Sequence, residues 1–162
     1  MIEIKGYFSS PIRGAAGDAA TQEDMNKNIN IGKEIGLRLR KLFGNVLNLY
    51  IPHLQDDVIQ ILWRKNTITS KDILDADCDI VRNSDILFVY TKLGTSPGMQ
   101  DEIDAATKSR KHIVYFERFD NRLLVEVLDL LTILVHEKIK DSILLVRNED
   151  EESKETGKEE TN

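Results

Sequence analysis

The sequence predicts an α/β fold: a three-layer, doubly wound, mostly parallel sheet of five strands, of the Rossmann-like or flavodoxin-like kind. Short apolar runs alternate with stretches of helical periodicity along the chain, the signature of repeated strand–helix units. The run DILFVYT at residues 85–91 is apolar almost throughout, like strands that a parallel sheet buries on both faces. The length of 162 residues suits one domain, enough to bury about two-thirds of its surface.

Residues 2–8 (IEIKGYF) read as the first strand, with Ile2, Ile4 and Phe8 on one side and Tyr7 near its end. The segment SSPIRGAAGDAA, residues 9–20, is small and turn-forming; it suits a loop over a site and equally an ordinary connector. Over residues 21–43 the apolar positions Ile31, Ile35, Leu39 and Leu42 recur at helical spacing, and Gly44-Asn45 ends the helix. Residues 46–51 supply a second strand closed by Pro52, and residues 56–64 a helical turn or two. Ser70 is the expected N-cap of a helix reaching residue 83, with Asp72 in its first turn.

After the strand at 85–91, Pro97 and Gly98 open a helix lasting to about residue 109. HIVYF at 112–116 makes a fourth strand, and residues 121–140 a long helix with Leu124, Leu128, Leu131 and Val135 on one stripe. Residues 142–146 are expected as the fifth strand. The domain is expected to span residues 1–147. Residues 148–162, NEDEESKETGKEETN, hold nothing aromatic or aliphatic to bury and are expected to form a disordered acidic tail.

The net charge of -6 comes from 22 basic and 28 acidic residues. The tail alone carries 7 acidic and 2 basic residues, so the rest of the chain stands at about -1. No basic footprint for nucleic acid is present, while a small anionic ligand needs only one or two local cations. A single cysteine, Cys78, excludes an intramolecular disulfide and weighs against a cysteine-rich metal site. No apolar run approaches the roughly 20 residues that span a bilayer, and MIEIKGYF lacks the layout of a signal peptide. The expectation is a cytoplasmic enzyme or binding protein without membrane or nucleic-acid partners. His53, His112 and His136 lie far apart without ligand spacing, and neither GxGxxG nor GxxxxGK[ST] occurs. No metal or cofactor is expected, and the histidines read as surface or strand-end residues.

Four residues are candidates for chemistry. Asp77 falls four residues after Ile73 and three before Ile80, among the core-facing positions of its helix. Burying an unpaired charge is costly; Asp77 therefore either edges a cavity, where it suits general-acid work, or is paired structurally. Glu102 reads as a carboxylate favoured by a helix N-terminus, but Ala105, Ala106 and Ser109 make its face small and leave room for a ligand. Ser96, just before Pro97, is an N-cap by position, and such a helix start also suits a phosphate. Arg13 is the cation that would complete a phosphate seat, although a loop arginine is often merely solvated.

In this order, YFSSPIRG at the first strand, Asp77 eight residues before Asp85, and SPGMQDEIDAA after the third strand resemble the nucleoside 2-deoxyribosyltransferase superfamily. Within it they are most similar to the deoxynucleoside 5′-monophosphate N-glycosidases. The resemblance covers residues 2–116. It implies hydrolysis of the N-glycosidic bond of a (deoxy)nucleoside 5′-monophosphate to free base and (deoxy)ribose 5-phosphate. By position Glu102 matches the nucleophile that attacks the anomeric carbon, Asp77 the acid assisting departure of the base, and Tyr7 the phenol that positions the glutamate. Ser96 and Arg13 match positions that bind the 5′-phosphate, and Ser10, Gly14 and Gly98 belong to the same expected seat.

Six residues before the nucleophile, transferases that use unphosphorylated nucleosides typically carry an aspartate; the neutral Ser96 favours a monophosphate. The chain also departs from the pattern. Pro11 stands where the hydrolases often have a phosphate-binding serine, Ala15 and Ala16 replace a glycine and a basic residue, and the match fades after Phe116. In the family that last region helps to form a homodimer, which the resemblance therefore implies. The alternatives are base exchange by a nucleoside 2-deoxyribosyltransferase and a non-catalytic nucleotide-sensing module.

Overall fold

The computed structural model describes residues 2–159. Four strands form one sheet among the described residues: β1 (Ile4–Ser9), β2 (Leu47–Tyr50), β3 (Ile86–Tyr90) and β4 (His112–Phe116). All pair in parallel, in the order β2-β1-β3-β4. The helices are α1 (Gln22–Phe43), α2 (Asp56–Arg64), α3 (Ser70–Arg82), α4 (Pro97–Lys108) and α5 (Asn121–Glu159).

Local chemistry sets the helix starts. In α1 the Thr21 hydroxyl accepts from the Asp24 N–H while the Asp24 carboxylate accepts from the Thr21 N–H, a reciprocal box that satisfies two orphan donors. In α3 the cap is Thr69 rather than the expected Ser70. Asp72 stands three residues after Thr69 and accepts its N–H at 2.7 Å, and only that spacing closes the box.

Two apolar layers sandwich the sheet. On one side Ile4, Phe8, Phe88 and Phe116 meet Ile35 and Leu39 of α1 and Leu123, Val127 and Leu131 of α5. On the other, Tyr7, Leu87 and Val89 meet Cys78 and Val81 of α3 and Met99, Ile103 and Ala106 of α4. Alternation along β1 therefore divides its side chains: Phe8 joins the α1 and α5 layer, Tyr7 the α3 and α4 layer. All five residues of β3 are buried, as its apolar run led one to expect.

The expected fifth strand is absent from the sheet, because residues 142–146 continue α5. No glycine or proline interrupts the chain between Lys140 and Val146. The Ser142 hydroxyl donates back to the Lys138 carbonyl, and Ile143 and Leu144 are exposed rather than sealed between layers. The buried stripe of α5 is also turned from the expected one: Leu123, Val127, Leu131 and Leu134 face the core while Leu128 is exposed. At the start of α5 Asp120 accepts the Leu123 N–H at 3.1 Å. Since α5 runs to Glu159, the backbone does not change at the expected boundary between residues 147 and 148; residues 160–162 of the expected tail lie outside the described residues.

At the amino edge of the sheet, Lys138 of α5 donates to Asp85 at 2.9 Å and to the Glu3 carbonyl at 3.1 Å. Asp85 also accepts the Lys5 N–H at 2.8 Å. Chemistry is left to the opposite edge. The chain leaves β1 toward β2 and returns to β3 on the other side, so the sheet order reverses between β1 and β3. In an open parallel sheet that reversal opens a crevice at the carboxyl ends of the two strands.

Candidate active site

The carboxyl end of β1 delivers Tyr7 and Ser9 to the crevice, two residues apart and thus on the same face. Glu102 comes from the second turn of α4 and Asp77 from α3. The Tyr7 hydroxyl donates to Glu102 Oε1 at 2.7 Å, and the Ser9 hydroxyl donates to Glu102 Oε2. All three are buried, Glu102 to 8 % exposure. The reading of Glu102 as a solvated, dipole-favoured carboxylate is thereby excluded, and α4 carries no acid in its first turn.

Burial pushes the Glu102 carboxyl up to about 7, and the nearby charges of Asp77 and Asp101 add to the rise. The hydrogen bonds from Ser9 and Tyr7 work against it. Asp77 is half-buried beside the same group. The Tyr7 phenol is held well above its ordinary range, first by burial, then by the charges of Glu102 and Asp77 and its hydrogen bonds to both. Asp77 stands at the edge of the core stripe and is paired with Tyr7 there, so neither of its two readings excludes the other. The Tyr7 ring is fixed from its other side by Tyr50, stacked at 5.6 Å between centroids and 24° between planes. Tyr7, Asp77 and Glu102, which lie 70 and 25 positions apart along the chain, are thus brought together. The chemistry available is that of an oriented carboxylate beside a second carboxyl group.

The expected phosphate residues occupy the two loops that flank the crevice. Gly14 has φ 59° and Gly94 has φ 86°, a conformation that suits glycine. A Cβ on Gly14 would meet the Leu93 carbonyl at 3.1 Å, and one on Gly94 would meet the Ala15 nitrogen at 3.3 Å. The β1–α1 and β3–α4 loops therefore touch through their backbones. Asn28 of α1 braces the first of them by donating to the Ile12 carbonyl at 3.0 Å. Ser96 is the N-cap of α4, accepting the Met99 N–H at 3.2 Å. A Cβ on Gly98 would make ordinary contact with Leu74 Cδ1 at 3.6 Å. Arg13 turns away to an exposed ion pair with Asp18. Ser10 lies on the α1 side, with its hydroxyl 2.8 Å from His53 Nε2.

Sequence reasoning missed Ser9 and His53. Ser9 had a usable signal, because it follows Tyr7 by two in a strand and must share its face. His53 had none: it meets Ser10 across 43 residues, and its burial overturns the expected surface role, although it does lie just past the end of β2.

A cavity of about 470 Å³ opens along the same edge, one strand further on, lined by Thr91, Phe116, Arg118, Arg122, Leu123 and Glu126 among others. None of Tyr7, Asp77 and Glu102 lines it. The switch point between β1 and β3 is the better candidate, because that is where oriented ionisable groups converge. Among the described residues no cluster of three or more histidine, cysteine or acidic side chains is arranged to hold a metal, and no helix is long and apolar enough to cross a membrane. Compared with protein families, curated proteins and solved structures, the chain matches none of them.

Proposed function

We propose that this protein is an N-glycosidase that hydrolyses a (deoxy)nucleoside 5′-monophosphate to free base and (deoxy)ribose 5-phosphate. The observation that carries this reading is a buried glutamate whose two oxygens are each held by a hydroxyl, with a second carboxylate beside it. A carboxylate so oriented is suited to attack an oxocarbenium-like carbon. A Glu102 oxygen bonds to C1′ as the C1′–N bond breaks, and the departing base takes the electron pair together with a proton from Asp77. Water then adds to C1′, the ester to Glu102 breaks, and the proton from water returns to Asp77.

When the two carboxyl groups share one proton, the productive arrangement has it on Asp77 and leaves Glu102 charged. Ser9 and Tyr7 help to keep Glu102 charged, since each donates to its charged form and opposes the rise that burial imposes. Chromatography of each nucleoside monophosphate after incubation tests the reading. Free base appears with the wild type and is lost in Glu102→Ala; no release from any monophosphate refutes it.

Base exchange between deoxynucleosides is a second reading, favoured by one observation. Arg13, the expected phosphate cation, is engaged with Asp18, as suits a site that takes a free 5′-hydroxyl. Transfer of deoxyribose to an added acceptor base, indifferent to the phosphate, would establish it. The exposed Val125, Leu128 and Ile139 of α5 supply apolar surface for the homodimer that the resemblance implies, and sedimentation of Leu128→Glu against the wild type tests it. Cys78, buried and free, suits the reducing cytoplasm.

A further inference from the structure

His53 has no part in the reaction just described, yet it is among the most buried polar residues, 3 % exposed in the turn Pro52–Leu54 after β2. Burial, and then the charge of Lys33, pulls its imidazole down to about 4, so the ring is neutral near pH 7. Its Nε2 lies 2.8 Å from Ser10 Oγ. The ring also makes a hydrogen bond to the Ser10 main chain that favours its protonated form. The Nε2···Oγ bond runs from ring to hydroxyl when the neutral ring carries its proton on Nε2.

The pair is seated without slack against α1. A Cβ on Gly32 would come within 2.5 Å of Ser10 Oγ and 2.6 Å of His53 Cδ2. Ser10 in turn is the first residue beyond β1 and the root of the loop that carries Arg13 and Gly14. A serine hydroxyl has one proton to donate and two lone pairs to accept with. If His53 donates to it, the hydroxyl proton must be given to something else.

We propose that His53 is a positioning residue for the phosphate seat: its Nε2–H holds the Ser10 hydroxyl so that the hydroxyl proton is donated into the crevice, to an acceptor-only group such as a phosphate oxygen. This rests on the monophosphate reading above. The pair also supplies a donor in the first loop where the expected serine is replaced by Pro11.

Three measurements test the proposal. Ring-nitrogen NMR of His53, assigned by comparison with His53→Gln, shows the neutral Nε2–H tautomer from pH 6 to 8; an Nδ1–H tautomer or a charged ring overturns it. In kinetics, His53→Leu lowers kcat/KM for the monophosphate about tenfold, mainly through KM, and leaves any turnover of the unphosphorylated nucleoside unchanged. His53→Gln, which keeps a donor near the Nε2 position, stays within about threefold of the wild type, and Gly32→Ala behaves like the leucine variant. Equal losses on both substrates, or a glutamine variant no better than leucine, overturn the proposal.

Inorganic phosphate is the probe that needs no turnover: it binds His53→Leu about tenfold more weakly than the wild type. Equal affinity overturns the proposal even where glycosidase activity stands. A tenfold difference without base release leaves the seat intact and removes only the glycosidase reading.

Discussion

Replacing Glu102 by glutamine should stabilise the protein in alkaline solution while leaving it close to the wild type in acid. In the folded chain the Glu102 carboxyl is raised from 4.5 to about 7, chiefly by burial. Between those values the folded chain holds a proton that the unfolded chain has released, so stability falls as pH rises through that window. The loss is complete above about pH 8 and amounts to about 3 kcal/mol. Glutamine carries no charge to desolvate and escapes it. Its amide does present a donor where an acceptor stood, so the Tyr7 or Ser9 hydroxyl must turn round to accept, at about 1 kcal/mol. The variant is then expected within about 1 kcal/mol of the wild type at pH 5 and about 2 kcal/mol more stable at pH 8.5. Urea unfolding of both proteins at the two pH values measures the difference directly. A variant displaced by the same amount at both would refute the claim that Glu102 is a buried, strained carboxylate, whatever the protein's activity.

Three further outcomes follow from the same geometry. Ser9→Ala removes one of the two hydrogen bonds that oppose the rise of Glu102, so the acid limb of the pH–rate profile moves above 7 and kcat/KM at pH 7 drops about tenfold; an unmoved limb counts against a role for Ser9. Asp18→Asn frees Arg13 from an exposed ion pair, so KM for a monophosphate falls about threefold while that for a nucleoside stays put; steady-state kinetics on both substrates decides. His53 is lowered from 6.5 to about 4, so below pH 6.5 the unfolded chain gains a proton that the folded chain refuses. Wild-type stability falls by up to about 3 kcal/mol as pH drops toward 4, and urea titrations of His53→Leu at pH 7 and pH 4.5 should lack that component.

What was legible in the sequence was what depends on local pattern. The apolar run at β3 and the helical spacing of Ile35 and Leu39 announce buried elements because burial itself imposes the pattern. The convergence of Tyr7, Asp77 and Glu102 was legible only through their order along a resembling motif, since no local rule relates residues so far apart. The misplaced stripe of α5 has a plain cause. Leu123, Leu124, Val127 and Leu128 offer two adjacent apolar faces, and the choice between them is made by packing against the sheet, which local spacing does not encode. Residues 142–146 read as a strand from sequence because a short apolar run looks alike in a strand and in a helix. Arg13 and Ser96 sit in the expected loops, but sequence position cannot say that one is turned to Asp18 and the other occupied in capping α4.

Strand β1 also works as a reading frame. Tyr7 and Ser9 belong to the glutamate because they are odd-numbered in a strand whose even-numbered Ile4 and Phe8 belong to the opposite layer, and Ser10 meets His53 on that layer's side. A one-residue slip exchanges the two sets at once: a phenylalanine would face Glu102, and the phenol and hydroxyl would be driven into the core beside α1. Deleting a single residue between Ile4 and Tyr7 would therefore scramble chemistry and packing together, although no residue of the site had been removed.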